Sequence, residues 1–472
     1  MATHAPNRVL STLNADGSRR WLRPKLSEGG FWRMRRVVAY ALMFVFFIIP
    51  YLKLHGKPLV LLDIPRRVFI ILGTTFLPTD TLLFMMLFVT VGIGIFLLTA
   101  LFGRVWCGWG CPQTVYMEFL FRPIERLLEG GRTGTLGLDR ATGLKPRRLL
   151  KWAVYLLLAL FLAHTFLAYF VGIDLLVHWV RSSPSEHPTA FFVMAGTTAA
   201  IMFDFTYFRE QTCLVACPYG RLQSVLLDRQ SLIVGYDVPR GEPRGKAESP
   251  VPAGDCIDCR ACVLTCPTGI DIRDGLQMEC IHCTQCADAC DEIMDRIGKP
   301  RGLVKYTSRD QVEGKPRHLV RPRVIIYPTA LLVAVSLLVY FLNQRRDADV
   351  TVLRGIGAPY SFEADGRVVN QLRVRITNRT EAPHEYAISL EGADGAQVIS
   401  PENPLKVGPG ELRSTSLFVV GPRTLFHDGE RHVNLKITDG LHTDRFEYTL
   451  VGPEHDDERP EADHRTDKEH DR

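Results

Sequence analysis

Residues 256–290 read Cys256-Ile-Asp-Cys259-Arg-Ala-Cys262-Val-Leu-Thr-Cys266-Pro267, then, after a short spacer, Cys280-Ile-His-Cys283-Thr-Gln-Cys286-Ala-Asp-Ala-Cys290. Each run is C-x-x-C-x-x-C-x-x-x-C. Three closely spaced thiolates wrap one corner of a cubane, and the fourth cysteine of each run crosses to the other cluster. The spacing therefore predicts two [4Fe-4S] clusters. Cys256, Cys259, Cys262 and Cys290 are expected to hold one, and Cys280, Cys283, Cys286 and Cys266 the other. A zinc site would use four ligands in two pairs, and a disulfide framework suits a small secreted domain. Neither matches two runs of four. Cys266 precedes a proline whereas Cys290 precedes Asp291; the proline shapes the turn and is not a ligand.

Working outward, the chain is 472 residues long, enough for more than one domain. Its mean hydropathy of +0.04 hides strong segregation. Five apolar stretches reach the roughly 20 residues needed to span a bilayer: Val37–Tyr51 with its flanks, Thr81–Phe102, Leu149–Val171, Thr189–Phe208 and Val324–Leu342. Val68–Leu77 is too short to span and is expected to be an interfacial or re-entrant piece. Basic residues set the orientation. Arg19, Arg20, Arg23, Lys25, Arg33, Arg35 and Arg36 precede the first span, and Arg104 to Lys151 is rich in arginine and lysine. The loop 172–188 holds only Arg181. The N-terminus and the cysteine runs are thus expected on the cytoplasmic side, and the C-terminal segment outside. Lys53, Lys57, Arg66 and Arg67 run against this rule. No cleavable signal is evident. The net charge of +5 suits basic loops near anionic lipid, and nothing in the chain calls for nucleic acid.

The expected organisation is a cytoplasmic N-terminal segment (1–34), a four-span bundle (35–208), and a cytoplasmic segment (209–322) with the ferredoxin domain at about 250–300. A fifth transmembrane helix (323–343), an external β-domain (350–453) and a disordered charged tail (454–472) follow. Pro239–Pro252 reads as a linker. The β-domain shows period-2 alternation, as in Leu372, Val374, Ile376 and Val433, Leu435, Ile437, with turn signals such as Asp439-Gly440. About seven short strands suggest an immunoglobulin-like β-sandwich. The fold class is therefore a multi-domain membrane protein: an α-helical transmembrane bundle of about five spans, a bacterial-type 2[4Fe-4S] ferredoxin insert, and a C-terminal immunoglobulin-like β-sandwich.

The other four cysteines form two copies of C-x-x-x-C-P: Cys107-Gly-Trp-Gly-Cys111-Pro112 and Cys213-Leu-Val-Ala-Cys217-Pro218. Each follows an apolar span, which reads as an internal repeat of span–span–CxxxCP. In a helix, i and i+4 would put both sulfurs on one face. Four thiols at a membrane surface could bind a soft metal such as Cu(I) or cycle between dithiol and disulfide; the bland alternative is small cysteines helping helices pack. His55, His164, His178 and His187 lie in or near spans. A pair could ligate haem, but a lone intramembrane histidine is more often hydrogen-bonded within a bundle, so haem is not expected. Asp204 is costly in lipid unless it faces protein or water, and pairing with Arg209 or an interfacial position would relieve it.

Together, the two CxxxCP copies, the eight-cysteine segment and the C-terminal sandwich, in that order from about Trp32 to Pro453, resemble the cytochrome c oxidase accessory protein family called CcoG, also FixG or RdxA. The CxxxCP copies are shared with other membrane polyferredoxins; the sandwich without a flavin domain favours the oxidase accessory group. The resemblance implies a role in assembling cbb3-type cytochrome oxidase by reducing Cu(II) to Cu(I) with electrons from a cytoplasmic donor. Cys107, Cys111, Cys213 and Cys217 would then be the copper-binding or copper-reducing site, and the sandwich would dock an oxidase subunit or copper chaperone. Two other readings stay open: a quinol-linked shuttle, and a non-catalytic copper-binding scaffold.

Overall fold

The structure is a computed structural model that describes residues 10–454, apart from 15, 55, 66, 77–79, 142, 144, 246–253, 317–320, 345–346, 381 and 441, and apart from the side chains of 221, 224 and 225. His55, Arg66, Leu77, half of the expected linker (246–252) and the tail from 455 lie outside the described residues. The chain divides into two compact units, 1–340 and 341–472.

In the first unit and its exit, five helices among the described residues are long and apolar enough to cross a membrane: Gly30–Tyr51, Thr81–Phe102, Pro146–Val171, Pro188–Phe208 and Pro322–Asn343. Prolines begin three of them, where the missing N–H costs nothing. The second has a mean hydropathy of 2.6, yet only 6% of its core window is buried by the rest of the chain. An apolar surface of that size turned outward suits lipid, and the chain is a multi-pass membrane protein. Aromatic contacts tie the bundle together: Phe121 stacks on Phe205 at 4.1 Å, and the Tyr155 hydroxyl donates to the Phe121 carbonyl at 2.8 Å.

Two segments are more ordered than the sequence suggested. The short apolar piece that is too short to span is a strand where described: Val68–Ile71 pairs antiparallel with Val60–Asp63 on one side and Thr74–Phe76 on the other. β-branched and aromatic residues at Val68, Phe69, Ile70 and Ile71 favour a strand, and Gly73 at positive φ makes the turn. Residues 10–29, expected from the sequence as part of a loosely ordered lead-in, are fixed to the ferredoxin segment. The Ser11 hydroxyl donates to the Thr268 carbonyl, Lys25 exchanges hydrogen bonds with Leu264 and Thr265, and Leu22 is buried. The first span then starts at Gly30, with the Asp288 carboxylate accepting from the N–H groups of Phe31 (3.1 Å) and Trp32 (2.7 Å).

Asp288 belongs to the ferredoxin segment, which is closed by the antiparallel pair Ile233–Tyr236 and Val304–Thr307. Its core joins Val234, Tyr236, Ile270, Ile272, Ala287, Met294, Leu303 and Val304 to the cysteines.

The second unit is two antiparallel sheets around one core. The first runs in the order Gln397–Ile399, Leu412–Gly421, Val368–Asn378, Ala348–Arg354, with Ser361–Phe362 added to Val368–Asn378. The second runs Leu405–Val407, His384–Glu391, Glu430–Thr438, Thr443–Val451. That is nine strands among the described residues against the seven expected, because short edge pieces such as Leu405–Val407 carry too few residues to show alternation. Leu372, Val374, Ile376, Leu417, Val433, Leu435 and Ile437 all point into the shared core.

Candidate functional site

The two C-x-x-C-x-x-C runs fold alike. The residues flanking the middle cysteine have positive φ in both: Asp258 (51°) and Arg260 (56°) around Cys259, His282 (53°) and Thr284 (58°) around Cys283. Side chains rarely adopt this conformation, and repeating it at matched positions curls each run around a hollow. One hollow is lined by Cys256, Cys259, Cys262 and Cys290. The other is lined by Cys266, Cys280, Cys283 and Cys286, with Cys262 on the shared wall. Four soft thiols around each hollow fit a cubane cluster. Burial pushes the Cys262 and Cys280 thiols up to about 12 and Cys283 up to about 11, with nearby Arg273 and Arg35 opposing the effect at Cys262 and Cys283. As free thiols they are protonated, so metal loading releases protons.

The two CxxxCP motifs also share one geometry. The residue four before the first cysteine ends its span in an unusual conformation: Gly103 at φ 61°, ψ −132°, and Arg209 at φ 53°, ψ −122°. Cys107 N–H donates to the Arg104 carbonyl (3.1 Å) and Cys213 N–H to the Glu210 carbonyl (3.2 Å). Cys111 N–H donates to the Trp106 carbonyl and Cys217 N–H to the Thr212 carbonyl, both at 2.8 Å and both five residues back. The widened turn and the extended cysteine before proline replace the regular helix that i,i+4 spacing had suggested.

Each motif is held by the other's flanks. Gln113, two residues after Cys111, donates to the Arg209 carbonyl (3.0 Å) and to Asp204 (3.2 Å). Arg104 donates to the Gly220 carbonyl, and the Cys107 thiol meets the Gln223 amide oxygen at 3.0 Å. The four thiols lie close enough for charge on any of Cys107, Cys111 or Cys217 to oppose ionisation of Cys213. Burial raises Cys107 to about 11, and Arg104 works against it. Asp204 does not pair with Arg209: it accepts from Gln113 and Thr212, and Arg209 grips Glu125 through two nitrogens (2.9 and 3.1 Å). A short run of polar residues after the span had hidden the partner, Glu125, 84 residues away.

The first motif sits directly on the second cysteine run. Arg104 N–H donates to His282 Nδ1 (3.2 Å), Trp109 Nε1 donates to the Tyr306 hydroxyl, and that hydroxyl donates to the His282 carbonyl, both at 2.9 Å. Arg35 is 1% exposed; its Nε donates to the Gly108 carbonyl (2.9 Å), and its two terminal nitrogens have no hydrogen-bond partner. Arg35, Arg104, Gly108 and Asp288 were not singled out as site residues from the sequence. The two glycines inside Cys107-Gly-Trp-Gly-Cys111 were the available signal for a close backbone approach.

His164 lies in the third span with Nδ1 at 2.7 Å from the Leu160 carbonyl, and it lines a cleft with His187, Trp179 and Met194. The His178 and His187 rings are 6.4 Å apart.

Comparison with known proteins agrees with this layout. Residues 208–309 match a 4Fe-4S dicluster domain, residues 82–130 a 4Fe-4S binding domain, and residues 338–453 an IG-like fold at the C-terminal of FixG. Protein RdxB of Cereibacter sphaeroides is 36% identical over 414 residues, covering 80% of this chain and 86% of that protein. Protein RdxA of the same organism is 34% identical, covering 79% and 82%. Nitrogen fixation protein FixG of Rhizobium meliloti is 30% identical, covering 91% and 92%. The chain therefore belongs to the FixG/RdxA family and is a membrane iron–sulfur electron-transfer protein.

Proposed function

We propose that this protein reduces Cu(II) to Cu(I) at the CxxxCP site and thereby supplies copper for assembly of a cbb3-type cytochrome oxidase. Cys256, Cys259, Cys262 and Cys290 hold one [4Fe-4S] cluster, and Cys280, Cys283, Cys286 and Cys266 the other. When bound, these clusters supply one-electron transfer. Cys107, Cys111, Cys213 and Cys217 form the electron exit. Cu(II) is the substrate: it takes one electron and leaves as Cu(I), the ion that soft sulfur ligands favour.

The observation that carries this reading is the packing of Gly108, inside the first motif, on the Cys283 backbone. The hydrogen bonds through Arg104, Trp109 and Arg35 hold that contact together. The basic lead-in and the arginine-rich loop after the second span support placing the cysteine runs on the cytoplasmic side, where a soluble donor loads them. The C-terminal β-domain then faces outward and docks a copper chaperone or oxidase subunit.

The test is Cu(I) formation, followed with a Cu(I)-specific chelator, by anaerobically purified protein reduced through its clusters. Turnover is expected to vanish in Cys107→Ser/Cys111→Ser and in Cys213→Ser/Cys217→Ser while the cluster spectra of the eight-cysteine segment persist. Unchanged turnover in both variants sinks the reading.

A further inference from the structure

We propose that Cys107, Cys111, Cys213 and Cys217 together bind one additional [4Fe-4S] cluster, shared between the two halves of the membrane repeat. This rests on the reading of those thiols as the electron exit, and it makes copper a substrate met at that site instead of its resident metal.

Three independent observations lead there. The first is that the four thiols form one site. The two motifs repeat the same φ/ψ values and hydrogen bonds, and each is gripped by residues flanking the other: Gln113 on Arg209, Arg104 on Gly220, Gln223 on Cys107. Two like motifs interlocked in this way bring all four thiols within electrostatic range of one another.

The second is the arithmetic of ligands. The chain has twelve cysteines, and the two ferredoxin runs use eight. The 82–130 match to a 4Fe-4S binding domain contains only Cys107 and Cys111. A cubane takes four thiolates, one per iron. Cys213 and Cys217 are the two that remain, and they lie within electrostatic range of Cys107 and Cys111. A set of four sulfurs is the signature of an iron–sulfur or zinc centre, and adjacency to a redox relay selects iron–sulfur.

The third is charge. Arg35 and Arg104 are 1% and 4% exposed, and among the described residues neither pairs with a carboxylate within 4 Å. Nε of Arg104 and both terminal nitrogens of Arg35 are without hydrogen-bond partners. Asp288 is near enough to Arg35 for their charges to interact, but a buried guanidinium with unpartnered nitrogens is still unfavourable. Arg104 lies against Cys107, and Arg35 donates to the Gly108 carbonyl within electrostatic range of Cys283. Anionic thiolate-bound clusters on both sides of this pair would satisfy both guanidinium groups.

The experiment is iron and acid-labile sulfide per chain after anaerobic reconstitution of the full-length protein in detergent, with copper measured on the same samples. Wild type is expected to hold about 12 iron, and the variant with all four CxxxCP cysteines changed to serine about 8, counting four per cubane. A third reduction step in an EPR-monitored redox titration of wild type, absent from Cys111→Ser/Cys217→Ser, gives the same answer without depending on how the fourfold variant folds. About 8 iron in wild type with only two reduction steps overturns the proposal. The copper reading fails separately: about 12 iron with no Cu(I) formation keeps this cluster and removes copper, whereas about 8 iron with Cu(I) formation lost in the serine variants does the reverse.

Discussion

The backbone of Gly108 lies on the backbone of Cys283. A Cβ at Gly108 would stand 2.9 Å from the Cys283 Cα and 2.6 Å from the Ile281 carbonyl oxygen. Only a hydrogen fits between the CxxxCP turn and the cysteine run, so the two redox sites meet without a side chain between them. Gly108→Ala must push the turn away or distort the run, at a cost of about 1–3 kcal/mol. The expected result is slower Cu(I) formation by protein whose ferredoxin EPR signals are intact, read by stopped-flow after pre-reduction. Wild-type rates in this variant would show that the contact is not the route.

The N-terminus of the first span is capped by Asp288 from the ferredoxin segment, so one carboxylate joins the two. Removing a cap of this kind costs about 0.5–2 kcal/mol. Asp288→Ala is expected to lower the midpoint of thermal unfolding and expose the 10–29 segment to protease, and Asp288→Asn, which keeps an acceptor, to lose less. Equal losses for the two would assign the effect to packing.

Glu125 is buried against Arg209, Arg23 and Lys151. Burial alone would raise its carboxyl; Arg209 first, then Arg23 and Lys151, outweigh it and hold it well below the usual carboxylate range. A carboxyl depressed in the folded state binds protons more readily when unfolded. Its stabilisation is therefore present above the ordinary carboxylate pKa of about 4.3 and is lost as pH falls below it. Denaturation monitored between about pH 6 and pH 3 should show this loss, reduced in Glu125→Gln. Arg209→Ala at neutral pH removes the two-nitrogen grip and leaves the buried carboxylate to Arg23 and Lys151, and should cost about 1–3 kcal/mol.

Arg35 places a positive charge beside Cys283, and among the described residues its two terminal nitrogens have no hydrogen-bond partner. Positive charge near a cluster favours its more negative, reduced form. Arg35→Gln is expected to lower the midpoint potential of the cluster held by Cys283, and Arg35→Lys to lower it less, measured by EPR-monitored titration. A potential unmoved in both would leave Arg35 a packing residue.

The sequence alone determined the parts whose physics is local. Cubane ligation follows from cysteine spacing, spanning helices from runs of about 20 apolar residues, and the sandwich from alternation at Leu372, Val374 and Ile376. The division of the eight cysteines between two hollows was legible for the same reason, because three of each four ligands are neighbours in the chain. The strand at Val68–Ile71 was not legible, because a short apolar run looks alike as strand or helix until its partners, Val60–Asp63 and Thr74–Phe76, are known. Tertiary structure decided whatever depends on residues distant in the chain. Glu125 and Arg209 are 84 residues apart, Gly108 and Cys283 175 apart, and the two CxxxCP motifs 106 apart. No local pattern records which of these meet, since burial of a charge or close approach of two backbones is fixed only when the spans pack and bring their ends to one surface.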